Sequence, residues 1–200
     1  MTDTQTRLLD AVDRVIAAHG PSGVTLRKVG LEAGLSHTAA AHYYKDKAGL
    51  FTAYITRGYN QFGERIEAVS EGADARLAML DAADAYAQFA LDSPSTFSVL
   101  QRLELTHVDT PELWAARERC YFAIERILAR NQAHGWAADR DLRDLLATTW
   151  AFVHGFVDLW MGGPLAAPYD GNDLVPTLRR IFDELLTSID AGFGPGGLQP

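Results

Sequence analysis

A run of polar and basic side chains near the N-terminus has the composition of a surface that binds nucleic acid. His37, Thr38 and His42 place hydrogen-bond donors and acceptors beside the small residues 39–41, so a backbone there could approach a grooved partner closely. Three further polar or basic side chains follow at once: Tyr43, Lys45 and Lys47. Polar groups read base edges and basic groups bind phosphates, so the run favours a reader of the DNA major groove. An ordinary short surface helix is the alternative.

Two short helices joined by a turn are predicted to position these side chains. Thr25 has the side chain of an N-cap, and Leu26, Val29 and Leu31 give the first helix an apolar face. Gly34 suits a tight turn that requires a positive φ. Ser36 and Asp46 then cap a second helix over residues 37–44 and a third that starts at Lys47. This order is typical of a helix-turn-helix whose recognition helix spans residues 37–43.

Short motifs at regular spacing extend this pattern over residues 7–51. They are Arg7-Leu-Leu-Asp-Ala11, Gly20, Val24-Thr25-Leu26, Ala33-Gly34-Leu35-Ser36, Tyr43-Tyr44-Lys45-Asp46-Lys47 and Leu50-Phe51. The segment resembles the DNA-binding domain of the TetR family of bacterial transcriptional repressors. The resemblance implies that Thr25, Tyr43 and Lys47 hold phosphates, whereas His37, Thr38 and His42 face bases. Three more residues complete the DNA-binding set that we predict: Arg27, Lys28 and Ser36.

Two positions depart from the family pattern. Gly30 and Ala41 stand where family members usually have alanine and tyrosine, respectively. The family tyrosine commonly contacts DNA, so Ala41 removes one expected contact and leaves the operator sequence open.

Charge is distributed unevenly along the chain. The net charge is -8, but residues 24–57 contain five basic and two acidic side chains, whereas residues 58–200 contain 11 basic and 21 acidic ones. Salt screens charges that lie more than about 10 Å from a phosphate, so the local positive balance decides whether DNA can bind.

Composition and pattern predict an all-α protein with about nine helices. We expect a three-helix DNA-binding domain at residues 1–57, a larger helical domain for effector binding and dimerisation at 58–191, and a flexible tail at 192–200. The helix that starts at Lys47 would belong to both domains. Cys120, the single cysteine, is expected to be a buried structural thiol rather than a redox switch. No apolar run has the roughly 20 residues that span a bilayer, so we expect a cytoplasmic protein without membrane contacts.

The larger domain has two predicted functional surfaces. The first is an effector pocket, whose existence is what the family resemblance implies. Side chains with aromatic or apolar bulk and polar tips could line it: Met79, Tyr86, Phe97, Trp114, Tyr121, Trp150 and His154. The alternative is that these rings only fill the core. The second is a dimer interface, because residues 144–160 are apolar nearly all round. Its candidate contacts are Phe152, Phe156, Leu159, Ile181 and Leu185.

The stretch Trp150-Ala-Phe-Val-His154-Gly155 resembles the Trp…His-Gly signature of one subgroup of TetR-family C-terminal domains. His154 and Asp158 are four positions apart, which fits a hydrogen-bonded pair better than a metal site, since two ligands alone do not hold a metal. We expect no metal and no cofactor.

The sequence as a whole predicts a homodimeric repressor that binds a palindromic operator in double-stranded DNA and is released by a small apolar or aromatic effector. A DNA-binding regulator without an effector remains an alternative. A helical enzyme is disfavoured, because no phosphate loop, nucleophile elbow or zinc signature is present.

Overall fold

A computed structural model describes residues 2–70, 74–169 and 173–191, apart from the side chains of His37 and Ser70. Within these ranges the chain forms nine α-helices and no strand, as the sequence predicts. The helices are α1 (Asp3–His19), α2 (Leu26–Glu32), α3 (His37–Tyr44), α4 (Lys47–Ser70), α5 (Ala75–Asp92), α6 (Pro94–Leu100), α7 (Pro111–Ala133), α8 (Leu142–Met161) and α9 (Leu174–Ala191). The predicted helix break at 71–73, the predicted cap at Asn172 and the tail at 192–200 lie outside the described residues.

The helices divide into two compact units. Unit 1 contains residues up to Gly63 together with Leu91–Cys120, and unit 2 contains Glu64–Ala90 together with the residues from Tyr121 onward. Unit 1 therefore joins the first helices to a segment, 91–120, that follows some 30 positions later in the chain.

The core of unit 1 forms where α1 packs on α2 and α6. Leu8, Leu9, Val29 and Leu50 have no exposed surface. Tyr54 is also buried, and its hydroxyl donates to Asp13 Oδ1 at 2.7 Å and lies 2.9 Å from Thr96 Oγ1. Burial raises the pKa of Tyr54, so its hydroxyl keeps its proton and ties α4 to α1 and α6.

A close helix contact inside unit 1 depends on Gly58. A Cβ at this position would lie 2.5 Å from Thr96 Cγ2 and 3.0 Å from Leu100 Cδ1, so α4 and α6 approach each other without room for a side chain.

We expect Gly58→Ala to lower the free energy of unfolding by about 1–3 kcal/mol, because a methyl group must be forced into a packed contact. The double variant Gly58→Ala/Thr96→Ser should recover most of this loss, since serine removes Cγ2 but keeps the hydroxyl near Tyr54. Urea unfolding of the wild type and the variants measures the effect. A single variant as stable as the wild type would contradict the close approach.

Unit 2 is held together by α8 and α9 and by ion pairs that reach α5. Phe152 of α8 stacks on Phe182 of α9 at 5.9 Å between ring centroids. The guanidinium of Arg76 donates to Asp183 Oδ1 at 2.7 Å, and Arg179 donates to Asp81 and Asp84. These contacts fix α5 against α9.

Candidate nucleic-acid interface

The turn between α2 and α3 is built as the sequence predicts. Thr25 Oγ1 accepts a hydrogen bond from the backbone N–H of Lys28 at 3.1 Å, which caps α2. Gly34 has a φ of +68° and is followed by Leu35, whose N–H donates to the Gly30 carbonyl at 2.8 Å. Gly34, the second residue after the end of α2, thus takes the left-handed conformation that glycine adopts at little cost.

The recognition helix α3 has a buried inner face and an exposed outer face. Ser36 Oγ caps it by accepting the N–H of Ala39 at 3.1 Å. Ala40 and Tyr44 face inward and are buried. The Tyr44 hydroxyl donates to the Gln5 carbonyl at 3.4 Å, and burial raises the pKa of Tyr44 to about 12. These contacts anchor α3 on α1.

The outer face of α3 carries the polar residues of the predicted reader. Thr38, His42 and Tyr43 are exposed. The Thr38 hydroxyl lies 3.2 Å from Ser36 Oγ, and the rings of His42 and Tyr43 meet edge to face at 5.6 Å. Three donor or acceptor groups are therefore held near one another and open to a partner.

A tight turn connects α3 directly to α4. Lys45 has a φ of +54°, which is uncommon for a residue other than glycine. The Asp46 N–H donates to the Tyr44 carbonyl across this turn. Asp46 Oδ1 then accepts the Gly49 N–H at 2.7 Å and caps α4. The ammonium of Lys45 is exposed beside the end of the recognition helix.

Both acidic side chains of residues 24–57 are paired with basic groups from outside that segment. Glu32 Oε1 accepts from Arg14 Nε at 2.7 Å, and the Asp46 carboxylate lies 2.9 Å from His107 Nε2. The Gly49 N–H and then His107 lower the pKa of Asp46 below its usual value, so this carboxylate stays ionised. Pairing reduces the repulsion that these two carboxylates would exert on a phosphate backbone.

Basic groups remain available on the same surface. Arg27, Lys28 and Lys45 are exposed and form no ion pair with the described residues. Lys47 is half-buried, since its Nζ lies 3.4 Å from the carbonyls of Pro21 and Ser22. Nζ also lies 5.7 Å from the centroid of the Phe51 ring. Lys47 therefore ties the start of α4 to the chain before α2 while its charge stays near the surface.

The predicted DNA-binding residues all belong to unit 1, on α2, α3, their flanking turns and, for Lys47, the first position of α4. His37 is the first residue of α3, but its side chain lies outside the described part of the structure. The sequence did not single out Arg14 and His107, which lie within hydrogen-bond distance of the two acidic side chains. Their partners lie 18 and 61 positions away, so no local pattern could have indicated them.

The residues of the predicted effector pocket are distributed over both units. Phe97 and Trp114 belong to unit 1, and the other predicted pocket residues belong to unit 2. Within unit 2, the Tyr86 hydroxyl lies 2.7 Å from His154 Nδ1. His154 is therefore within hydrogen-bond distance of Tyr86 on α5. The sequence suggested a different partner, Asp158, which lies on the same helix as His154. The pocket itself stays a prediction.

The predicted dimer contacts lie along α8 and α9. Leu159 is 52% exposed, which is high for a leucine, and Phe152, Ile181 and Leu185 are partly exposed. Phe156 is buried within unit 2, where its ring packs on Trp160 at 5.8 Å, so it has little surface to offer a partner.

Among the described residues of unit 1, Arg117 on α7 has a buried side-chain donor that makes no hydrogen bond. Its Nη1 atom is buried and has no hydrogen-bond partner. A buried donor without a partner costs about 1–3 kcal/mol, and more when the group is charged.

No group of three or more metal-ligating side chains occurs within residues 2–70, 74–169 and 173–191. No helix in these ranges is long and apolar enough to cross a membrane.

Two family models match the chain. Residues 8–54 match the model described as "Bacterial regulatory proteins, tetR family". Residues 79–185, more than half of the chain, match "Tetracyclin repressor-like, C-terminal domain". In a comparison with curated protein sequences, nothing matches.

Solved structures share the fold along almost the whole chain. A protein of unknown function from Rhodococcus sp. RHA1 is 23% identical, with a TM-score of 0.79 and coverage of 94% of this chain and 95% of that one. The fatty acid degradation regulator FadR from Bacillus halodurans is 17% identical, with a TM-score of 0.76 and coverage of 93% and 95%. FadR from Bacillus subtilis in complex with stearoyl-CoA is 21% identical, with a TM-score of 0.67 and coverage of 92% and 97%.

Proposed function

Because the chain belongs to the TetR family of bacterial regulatory proteins, we propose that this transcriptional regulator is a homodimeric repressor released from its operator by a small-molecule effector. The observation that carries the proposal is the exposed outer face of α3. It combines polar side chains, nearby basic groups and acidic groups that are already paired. Such a surface suits the major groove.

The proposal of a dimer rests on how much of an operator one recognition helix can contact. A single α3 reads only one half-site, and a two-fold dimer places two recognition helices about 34 Å apart on one face of the duplex. The exposed Leu159 and the partly exposed Phe152, Ile181 and Leu185 supply an apolar surface on α8 and α9 that a second copy would cover.

The effector is proposed to bind the form of the dimer whose half-site spacing does not fit the operator. Only two residues separate the end of α3 from the start of α4, and α4 continues to Ser70. A displacement of the C-terminal end of α4 would therefore shift the recognition helix. Coupling of this kind is reciprocal, so operator DNA must weaken effector binding by the same factor. Equal effector affinity with and without operator would contradict the mechanism.

Fatty acyl thioesters are the first effector class to test. They carry an apolar chain, which suits the apolar and aromatic side chains of the predicted pocket, and a protein with the same fold was solved in complex with stearoyl-CoA. The likeness in fold supports the choice of probe, and binding to this chain needs its own measurement.

The deciding experiment is the selection of bound duplexes from a random DNA library by the purified protein, followed by sequencing. We expect a palindromic consensus whose half-site spacing matches the dimer. Titration of the selected duplex with acyl thioesters should then release it. No enriched sequence in the absence of effector would contradict a repressor that binds DNA in its unliganded form.

A further inference from the structure

Among the described residues of unit 1, Arg117 has a partly buried guanidinium group in which one donor atom lacks a hydrogen-bond partner. Its Nη1 is buried and unpaired, and no ion pair joins Arg117 to a carboxylate of the described residues. Other arginines of the unit donate to a carboxylate or a carbonyl oxygen: Arg7, Arg14, Arg57 and Arg102. Arginine keeps its charge even when buried, so Arg117 presents an unbalanced cation.

Aromatic rings form the surroundings of this cation. The guanidinium carbon lies 4.6 Å from the centroid of the Trp114 ring and 5.8 Å from that of Tyr59. The Tyr59 hydroxyl donates to Gln101 Oε1 at 3.3 Å, and Tyr59 is itself buried. Apolar walls limit water around the charge, which strengthens its attraction for an anion.

We propose that Arg117 binds the anionic group, a carboxylate or a phosphate, of the effector. The inference rests on the proposed function, because it adds the chemical class of the ligand to a repressor that responds to one. A planar guanidinium can donate two parallel hydrogen bonds to either anion. The bound oxygen atoms would satisfy Nη1 and balance the charge, while the aromatic walls contact the apolar part of the same ligand.

Trp114 controls access to Arg117. Its indole ring is 44% exposed although it lies against the guanidinium, so displacement of this ring opens the cation to solvent. The indole N–H donates to the Val108 carbonyl at 2.6 Å. A ligand that moves Trp114 therefore acts on the segment before α7.

That segment is bonded to the start of α4. The backbone N–H of His107 donates to Thr52 Oγ1 at 2.9 Å, and its Nε2 lies 2.9 Å from the Asp46 carboxylate. Asp46 caps α4 directly after the recognition helix. All these residues belong to unit 1, so an anion at Arg117 reaches the DNA-reading helix through contacts inside one unit.

Three probes with the same alkyl chain test the site: dodecanoate, dodecanoyl-CoA and neutral 1-dodecanol. Calorimetric titration of the full-length protein without DNA gives each Kd. Because the chain has four tryptophans, the part of the ligand-induced fluorescence change that Trp114→Phe abolishes reports movement of Trp114. We expect saturable binding of at least one anion and binding of the alcohol that is about 10- to 100-fold weaker, the factor of a charge-assisted hydrogen bond. Dodecanoate alone would identify a carboxylate site, and dodecanoyl-CoA alone a phosphate site.

Two variants separate binding from a structural role. Arg117→Gln should weaken binding of the anions about 10- to 100-fold and leave binding of the alcohol unchanged. Arg117→Lys should recover part of the loss, because lysine keeps the charge without the planar fork. Neither variant should lower the Tm of the unliganded protein by more than a few degrees, since Nη1 has no hydrogen-bond partner there and only the contacts with the Trp114 and Tyr59 rings are lost. Arg126→Gln, an exposed arginine on the same helix, is the matched control and should bind like the wild type.

Equal affinity of wild type and Arg117→Gln for both anions, or no saturable anion binding in the millimolar range, would overturn the proposal. So would a Tm that falls in Arg117→Gln while anion binding stays unchanged, because that result assigns the arginine to folding alone. These measurements contain no DNA, so they fail independently of the proposed repressor function, which is tested by duplex selection.

Discussion

A Leu159→Arg substitution should convert the proposed dimer to a monomer and lower operator affinity by about 10²- to 10⁴-fold, the range lost when two linked binding events become separate. Leu159 lies on α8 and is 52% exposed, more than the other predicted dimer contacts. An arginine there would have to lose its hydration against apolar side chains of the partner without a counter-charge. Each monomer would then read one half-site only.

Sedimentation equilibrium measures the oligomeric state, and titration of the selected duplex measures affinity. The matched control is Leu77→Arg on α5, because Leu77 is 48% exposed and is not part of the proposed interface. We expect this control to stay dimeric and to bind the operator normally. A dimeric Leu159→Arg variant with unchanged affinity would rule out the α8–α9 surface as the interface.

Thr38→Val should weaken operator binding about 10- to 100-fold and relax the preference at one base pair of each half-site, because a base contact of a side chain contributes about 1–3 kcal/mol to discrimination. Valine keeps the shape and one methyl group of threonine but removes the hydroxyl that is exposed on α3. Thr38→Ser keeps the hydroxyl and removes the methyl group, so it separates a polar contact with a base from an apolar one with a thymine methyl.

Lys47→Ala is the contrasting variant. The charge of Lys47 is proposed to attract phosphates. Its loss should therefore weaken binding to cognate and scrambled duplexes by the same factor and make the salt dependence of binding shallower. Binding of each variant to both duplexes over a range of salt concentrations tests the assignment. If Thr38→Val weakened both duplexes equally, Thr38 would be a phosphate contact and not a base contact.

Local chemistry explains why the helix-turn-helix could be predicted from the sequence. The caps at Thr25, Ser36 and Asp46 bond to backbone groups three residues away, and the positive φ at Gly34 is a property of the residue itself. Interactions of such short range depend on neighbours in the chain, so the spacing of a few residue types is enough to indicate them. The all-α class followed in the same way from helical spacing of apolar residues.

The start of α6 differs from what its residue types alone would indicate. A Ser-Pro pair is typical of the start of a helix, and α6 begins at Pro94, but the Ser93 hydroxyl makes no capping bond. Only the carbonyl of Ser93 takes part, by accepting the N–H of Phe97 at 2.8 Å. Proline in the first turn fixes the backbone by itself, so the start of the helix does not require the serine side chain.

The sequence by itself therefore determined the helices, the caps of the recognition helix and the family resemblance, because each depends on residues a few positions apart. Tertiary structure alone decided that segment 91–120 packs with the first helices, that His107 pairs with Asp46, and that Arg117 is left without a balancing charge. These features depend on which residues meet across separations of 42 to 61 positions in the chain. Such meetings follow from the packing of whole helices, which no local pattern encodes.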